Sequence, residues 1–90
     1  MDQKLLYKIQ VKGLVQGVGF RWSAAREAQV LGITGFVRNM PDGSVYIEAE
    51  GSESQLNAYV KWCKNGPGIV DSVNTETHPP VVYRDFRIEH

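Results

Sequence analysis

The residues whose types and spacing best suit a chemical role lie between Gly13 and Arg21, in the order Gly-Leu-Val-Gln-Gly-Val-Gly-Phe-Arg. Glycine at this density weakens both helix and strand, so the segment is predicted to be a loop between a strand and a helix. Successive backbone N–H groups of such a loop can converge on an anion, and the start of the following helix adds positive potential. The Walker pattern is excluded, because it ends in Gly-Lys-Ser/Thr and this loop ends in Gly-Phe-Arg. The dinucleotide-binding pattern is also excluded, because, started at Gly17, it would need a glycine at position 22, which is Trp22.

Arg21 is the side chain of this segment that can bind a dianion directly. A cation in the first turn of a helix opposes the helix dipole, at a cost of about 0.3–1 kcal/mol. Beside phosphate the same placement becomes favourable, because guanidinium and phosphate match in a bidentate fork. The alternative is a surface arginine paired with an acidic neighbour such as Glu27. Ser23 is interpreted as a helix cap rather than a nucleophile.

Asn39 is the second candidate, at the end of a predicted strand and just before the turn Pro41-Asp42-Gly43. An asparagine here can be an ordinary turn residue that hydrogen-bonds its own backbone. It can also present a donor and an acceptor to a bound water molecule. In a sheet of the kind predicted below, the end of this strand can lie near the glycine-rich loop.

The elements that must position these residues follow from the hydrophobic periodicity. Alternating apolar residues or helical spacing first predict a strand around residues 7–11, a helix from about Trp22 to Leu31 and strands at 33–39 and 45–49. A second helix is predicted to begin at Ser52, with Gln55 completing a capping box. A strand at 69–77 and an edge strand at 86–88 follow it. This order predicts an α+β fold of the ferredoxin-like βαββαβ type, an antiparallel sheet with two helices on one face. Such a fold hosts many functions and decides none of them.

The two candidate segments together resemble the acylphosphatase family. The family's first signature corresponds to Gly13–Arg21, and its second corresponds to Gly35-Phe36-Val37-Arg38-Asn39 followed by Gly43-Ser44-Val45 and Gly51. Trp62, Gly66-Pro67, Val70 and Val73 are similar to later segments of the family, so the resemblance covers nearly the whole chain. Two long signatures at the right separation are far more specific than either loop alone.

The resemblance implies an enzyme that hydrolyses small-molecule acyl phosphates to a carboxylate and inorganic phosphate, with no cofactor and no metal. It implies that Arg21 binds the phosphate together with the backbone N–H groups of Val15, Gln16, Gly17, Val18, Gly19 and Phe20. It also implies that Asn39 orients the attacking water. No role is carried onto the C-terminal residues Ile88-Glu89-His90.

This reaction needs few catalytic groups. A carboxylate leaves without being protonated, and phosphoryl transfer through a loose transition state asks mainly for positioning and charge stabilisation. The remaining titratable residues are accordingly read as structural. His78 is expected in a loop and both histidines away from the two motifs, Glu48 and Glu50 on a solvated strand face, and Cys63 in the core. No carboxylate cluster suited to magnesium is evident.

Composition narrows the alternatives. The 90 residues, predicted to be one domain spanning 1–90, carry ten basic and ten acidic side chains. A net charge of zero and the lack of a ribonucleoprotein motif disfavour RNA binding, and one cysteine excludes the usual metal-carrier site. A non-catalytic anion-binding domain stays open. No signal or membrane-spanning segment is evident, so a cytoplasmic protein with no membrane partner is expected. The charge balance indicates no nucleic-acid partner, and a small monomer is the default.

Overall fold

A computed structural model, which describes residues 3–90, shows two helices and five strands. The elements are β1 (Leu5–Leu14), α1 (Phe20–Leu31), β2 (Thr34–Asn39), β3 (Val45–Gly51), α2 (Glu53–Lys64), β4 (Ile69–His78) and β5 (Phe86–Glu89). Met1 and Asp2, which the prediction of a single domain includes, lie outside the described residues. The predicted α+β ferredoxin-like fold is confirmed.

The five strands form one sheet in the order β4-β1-β3-β2-β5. The neighbouring strands among β4, β1, β3 and β2 are antiparallel. Strand β5 lies parallel to β2 and makes the sheet mixed. The parallel neighbour arises because the segment after β4 crosses to the opposite edge at one end of the strands, so that β5 begins beside the start of β2 and runs in the same direction. The predicted edge strand at 86–88 is therefore present, and its direction brings the C-terminal end of the chain beside the end of β2.

The core fills the space between the inner face of the sheet and the two helices. Alternate residues of the strands point into it, as the period-two pattern predicts, and alanines of α1 let that helix approach closely. Tyr59 on α2 is fully buried, and its hydroxyl donates to the carbonyl oxygen of Ala24 on α1 over 2.8 Å. Cys63 is also fully buried, which confirms that it is a core residue.

The two helices begin differently. Helix α2 has the predicted capping box, in which the Ser52 side chain accepts from the Gln55 amide and the Gln55 side chain accepts from the Ser52 amide. Helix α1 begins at Phe20, two residues earlier than predicted, and its N-cap is Gly19 in the left-handed region. The expectation that Ser23 caps α1 is therefore wrong, since Ser23 lies within the first turn and donates its amide to the Gly19 carbonyl.

The segment between β4 and β5 crosses the outer face of the sheet and is held there by Glu50. The Glu50 carboxylate accepts hydrogen bonds from the backbone N–H groups of Val81, Val82 and Tyr83. Glu50 is only 1% exposed, so the interpretation of this residue as part of a solvated strand face is wrong. The anchor fixes where β5 enters the sheet, and β5 in turn forms one wall of the site described below.

His78 is also placed differently from the expectation of a loop. It is the last residue of β4, opposite Leu6 of β1, and its Nε2 lies 3.1 Å from the Glu76 carboxylate. The first residue of β4, Ile69, pairs instead with Leu14. His78 is therefore at the end of the sheet remote from the glycine-rich loop, as expected from its distance in sequence.

Candidate functional site

The sheet topology brings the ends of β1 and β2 to the same side of the domain. Val45, the first residue of β3, pairs with Val11 of β1 on one side and with Asn39 of β2 on the other. The glycine-rich loop leaves the same end of β1 and leads into α1. Asn39 and Arg21, which are 18 positions apart in the sequence, consequently face one cavity.

This cavity has a volume of about 270 Å³. Its walls are formed by Val15, Gly17, Gly19, Phe20, Arg21, Trp22, Asn39, Ile88 and His90. Most of the residues that the sequence predicts for the site are therefore brought together, with the exceptions of Gln16 and Val18. The side chain of Val18 is 43% exposed at the loop surface.

The loop keeps its backbone open toward this cavity through glycine conformation. Gly17 and Gly19 have φ values of 75° and 78°, in the left-handed region that other residues rarely adopt. A Cβ atom added at either position would meet nothing within 4 Å, so the requirement for glycine is conformational rather than steric. As the N-cap of α1, Gly19 also has no side chain to occupy the N–H groups of the first turn.

The start of α1 is thus prepared for an anion in a way that the start of α2 is not. Helix α2 has a side-chain cap that satisfies one of its free N–H groups, and the acidic residue Glu53 in its first turn complements the helix dipole. Helix α1 has neither a side-chain cap nor an acidic residue in its first turn. An external anion is therefore the natural partner for the N-terminus of α1.

Arg21 contributes a positive charge that is not neutralised within residues 3–90. One Nη atom donates to the backbone carbonyl of Glu89 over 2.9 Å and lies 3.5 Å from Nδ1 of His90. None of the ion pairs among the described residues involves Arg21, and Glu27 does not pair with it. The carbonyl contact orients the guanidinium without cancelling its charge.

The side chain of Gln16 connects the glycine-rich loop to the neighbouring hairpin. Its side-chain amide donates to the carbonyl oxygens of Met40 and Ser44, over 2.8 and 2.9 Å. These two carbonyls flank the β2–β3 turn, so Gln16 ties the glycine-rich loop to the hairpin that carries Asn39. Hydrogen bonds from the Ser44 hydroxyl and amide to Asp42 stiffen the same turn and lower the pKa of Asp42.

No three histidine, cysteine, aspartate or glutamate side chains gather into a possible metal centre in the part of the chain that the structure describes. Within the same residues, no helix is both long enough and apolar enough to cross a membrane.

Comparison with known proteins identifies the family. The sequence model of the acylphosphatase family matches residues 7–88, which is nearly the whole chain. The chain belongs to the acylphosphatase family. An acylphosphatase of Thermotoga petrophila is 46% identical over 85 residues, which cover 92% of this chain and 94% of that relative.

Solved structures agree with this assignment. The crystal structure of an acylphosphatase from Bacillus subtilis superimposes with a TM-score of 0.93 at 37% identity, over 96% of this chain and 99% of the other. An acylphosphatase from Coxiella burnetii gives a TM-score of 0.92 at 34% identity, over 96% and 93% of the two chains. The acylphosphatase fold thus accounts for nearly all of the described residues.

Three residues that line the cavity were not predicted as site residues: Trp22, Ile88 and His90. His90 was expected to lie away from both motifs, but it lines the cavity beside Arg21. The register of β5 against β2 pairs Glu89 with Arg38 and so brings the following residue level with Asn39. The alternation in Phe86-Arg87-Ile88 predicted a strand, but nothing in it indicated which edge of the sheet this strand joins.

Proposed function

We propose that this chain hydrolyses the carboxyl–phosphate bond of acyl phosphates in the cavity between Arg21 and Asn39, by direct attack of water and without a metal ion. The activity follows from membership of the acylphosphatase family. The observation that carries the assignment of the site is the convergence of the uncapped N-terminus of α1, an unneutralised arginine and a carboxamide on one cavity.

The phosphate group binds to Arg21 and to the backbone N–H groups of residues 15–20. Arg21 supplies charge-assisted hydrogen bonds, for which a guanidinium and a phosphate have matching geometry. The loop amides and the start of α1 supply further donors that carry no formal charge. This combination explains how a chain with a net charge of zero can hold a dianion.

Asn39 orients the attacking water. Its carboxamide offers both an acceptor and a donor, so it can fix the direction of the water's lone pair without removing a proton. Its place at the end of β2 is held by pairing with Val45 and by the contacts of Gln16 to the adjoining turn. A side chain on a rigid strand end is suited to such positioning.

Water, the substrate and these residues account for every bond and proton of the reaction. The water oxygen forms a bond to phosphorus while the bond from phosphorus to the acyl oxygen breaks, and the carboxylate leaves with the electron pair. A non-bridging phosphate oxygen takes the proton of the water. Arg21 and the loop amides stabilise the negative charge on the phosphoryl oxygens as the bond breaks.

Hydrolysis of benzoyl phosphate, followed by ultraviolet absorbance with a chelator present, tests this proposal. Arg21→Ala is expected to lower kcat/KM by about 10²–10³ or more, the usual effect of removing a donor to the transition-state charge. Arg84→Ala is the control for loss of an arginine, because Arg84 is exposed and does not line the cavity. Full activity of Arg21→Ala, or loss of wild-type activity with the chelator, would refute the proposal.

Asn39→Ala separates water positioning from phosphate binding. It is expected to lower kcat while leaving the inhibition constant of inorganic phosphate near the wild-type value. A large loss of phosphate affinity in this variant would show that Asn39 is a phosphate ligand instead.

We also propose that the enzyme acts as a single-domain monomer in the cytoplasm. The groups that the proposed chemistry needs, Arg21, Asn39 and the loop amides, belong to one small domain, for which a monomer is the default. The sole cysteine, Cys63, is a buried free thiol, which suits a reducing compartment. Light scattering at working concentrations should give a mass near 10.1 kDa, and a dimer mass would contradict the proposal.

A further inference from the structure

A second cleft adjoins the cavity that we assign to phosphate. It has a volume of about 440 Å³ and lies between α1 and β5, with walls formed by Trp22, Ala25, Arg26, Gln29, Phe86 and Ile88. Trp22 and Ile88 line both spaces. A molecule whose phosphate is bound at Arg21 can therefore extend directly into this cleft.

The walls of the cleft are mainly apolar and contain an aromatic side chain that the fold leaves uncovered. Trp22 is 60% exposed, although it lies on the helix that also packs into the core. Phe86 and Ile88 are partly buried against the core and present their outer sides to the cleft. An uncovered tryptophan in a concave surface is typical of a place where a ligand completes the packing.

Arg26 adds a positive charge to the wall of this cleft. Its guanidinium lies 5.5 Å from the centre of the Trp22 ring, and none of the ion pairs in residues 3–90 includes it. Arg26 follows Arg21 by five positions on the same helix, which corresponds to about 7.5 Å along the helix axis. The two positions also differ by about 140° around that axis, but Arg26 lines the cleft and Arg21 lines the adjoining cavity, so a molecule that occupies both spaces can bring an anionic group to each arginine.

We propose that this cleft binds the acyl part of the substrate and selects acyl phosphates in which an apolar body ends in a second anionic group. The apolar body packs on Trp22, and the second anion pairs with Arg26. The inference rests on the proposed function, because it takes the phosphate cavity as the place where the other end of the substrate is held.

Three probe substrates separate the contributions. Acetyl phosphate has almost no acyl body, benzoyl phosphate has an apolar ring, and 4-carboxybenzoyl phosphate adds a carboxylate across that ring. The wild-type protein is expected to prefer benzoyl to acetyl phosphate by about tenfold in kcat/KM, as hydrophobic pockets commonly do. It should prefer 4-carboxybenzoyl to benzoyl phosphate by a further three- to fivefold, about what an exposed ion pair supplies.

Each preference should depend on its own residue. Trp22→Ala is expected to abolish most of the preference for benzoyl over acetyl phosphate. Arg26→Gln is expected to bring the ratio of 4-carboxybenzoyl to benzoyl phosphate close to one, while Arg84→Gln, the same change at an arginine outside the cleft, keeps both ratios. Trp22→Leu, which retains an apolar side chain, should restore part of the first preference and guards against a folding defect in Trp22→Ala.

The outcomes distinguish this inference from the proposal on which it rests. If the wild-type protein hydrolyses all three probes but shows neither preference, or if the ratios survive in both variants, the acyl cleft is wrong and the phosphate site stands. If the wild-type protein hydrolyses none of the probes, the proposed function itself fails.

Discussion

Replacing Glu50 by glutamine tests whether one buried carboxylate holds the segment that carries β5 to its place. The glutamate accepts from the backbone N–H groups of Val81, Val82 and Tyr83, and Thr34 donates to it over 3.4 Å. Glutamine retains one acceptor oxygen and turns a donor toward at least one of these amides. The substitution changes almost no volume, so its effect reports the hydrogen bonds.

The expected loss of stability follows from the number of hydrogen bonds that the substitution affects. Leaving one buried amide without an acceptor costs about 1–3 kcal/mol, and a bond to a neutral acceptor is weaker than one to a carboxylate by about 1 kcal/mol. Because Val81 and Val82 are more than half exposed, the segment can recover part of the loss by turning toward water. We therefore expect Glu50→Gln to lower the free energy of unfolding by about 2–3 kcal/mol. For a domain of this size this corresponds to roughly 10–20 °C in Tm.

Urea unfolding followed by circular dichroism measures this difference, with Glu48→Gln as the matched control. Glu48 lies on the same face of β3 but accepts from the hydroxyl groups of Tyr46 and Tyr83, which can rotate to meet an amide oxygen. The control is expected to lose only about 1 kcal/mol. If Glu50→Gln is no less stable than Glu48→Gln, the anchoring role of Glu50 is wrong.

The pH dependence gives a second check on the same substitution. Burial alone raises the pKa of Glu50, but the hydrogen bonds from Tyr83, Val82 and Val81 outweigh it and lower this pKa in the folded protein. The stabilisation is therefore complete above the ordinary glutamate pKa of about 4.3 and is lost as the pH falls through the lower folded value. The stability gap between wild type and Glu50→Gln should narrow below that pH, and a gap that widens there would contradict the reasoning.

Three further predictions concern the loop, the hairpin and the core. Gln16→Ala should lower kcat about tenfold or more with little change in phosphate affinity, since it frees the turn beside Asn39, and a purely binding effect in the steady-state kinetics would contradict this. Gly35→Ala should cost about 3 kcal/mol or more in urea unfolding, because its Cβ would overlap the Glu48 carbonyl oxygen, whereas Gly19→Ala should cost only about 1 kcal/mol. Burial raises the pKa of the Cys63 thiol to about 12, so a thiol reagent should label it only in urea, and rapid labelling of the native protein would disagree with the structure.

Periodicity was sufficient to predict the fold because β1, β2, β3 and the two helices each bury one face in the usual way. The alternation of Ile9 and Val11 with polar residues, and the Ser52–Gln55 capping box, are local signals whose meaning does not depend on distant partners. The glycine-rich loop could also be predicted from the sequence. Its glycines are required by backbone conformation, which the sequence reveals directly.

The contributions of Glu50 and His90 could not be predicted in this way. In the sequence, Glu50 continues the polar alternation of a solvated strand face, and only the segment that later folds over this face buries it. The place of His90 depends on β5 joining the edge of the sheet beside β2. Tertiary packing, rather than local propensity, determines which edge β5 joins. Long-range contacts of this kind leave no short pattern in the chain.

The most direct test of the central claim is where inorganic phosphate binds. Titration of the ¹⁵N-labelled protein, followed by amide chemical shifts, should perturb residues 15–21 in the wild type and in Asn39→Ala and leave them unperturbed in Arg21→Ala. That pattern would establish Arg21 and the loop amides as the phosphate site, with Asn39 reserved for the water. Undiminished phosphate binding in Arg21→Ala, or perturbations confined to another surface, would contradict the account.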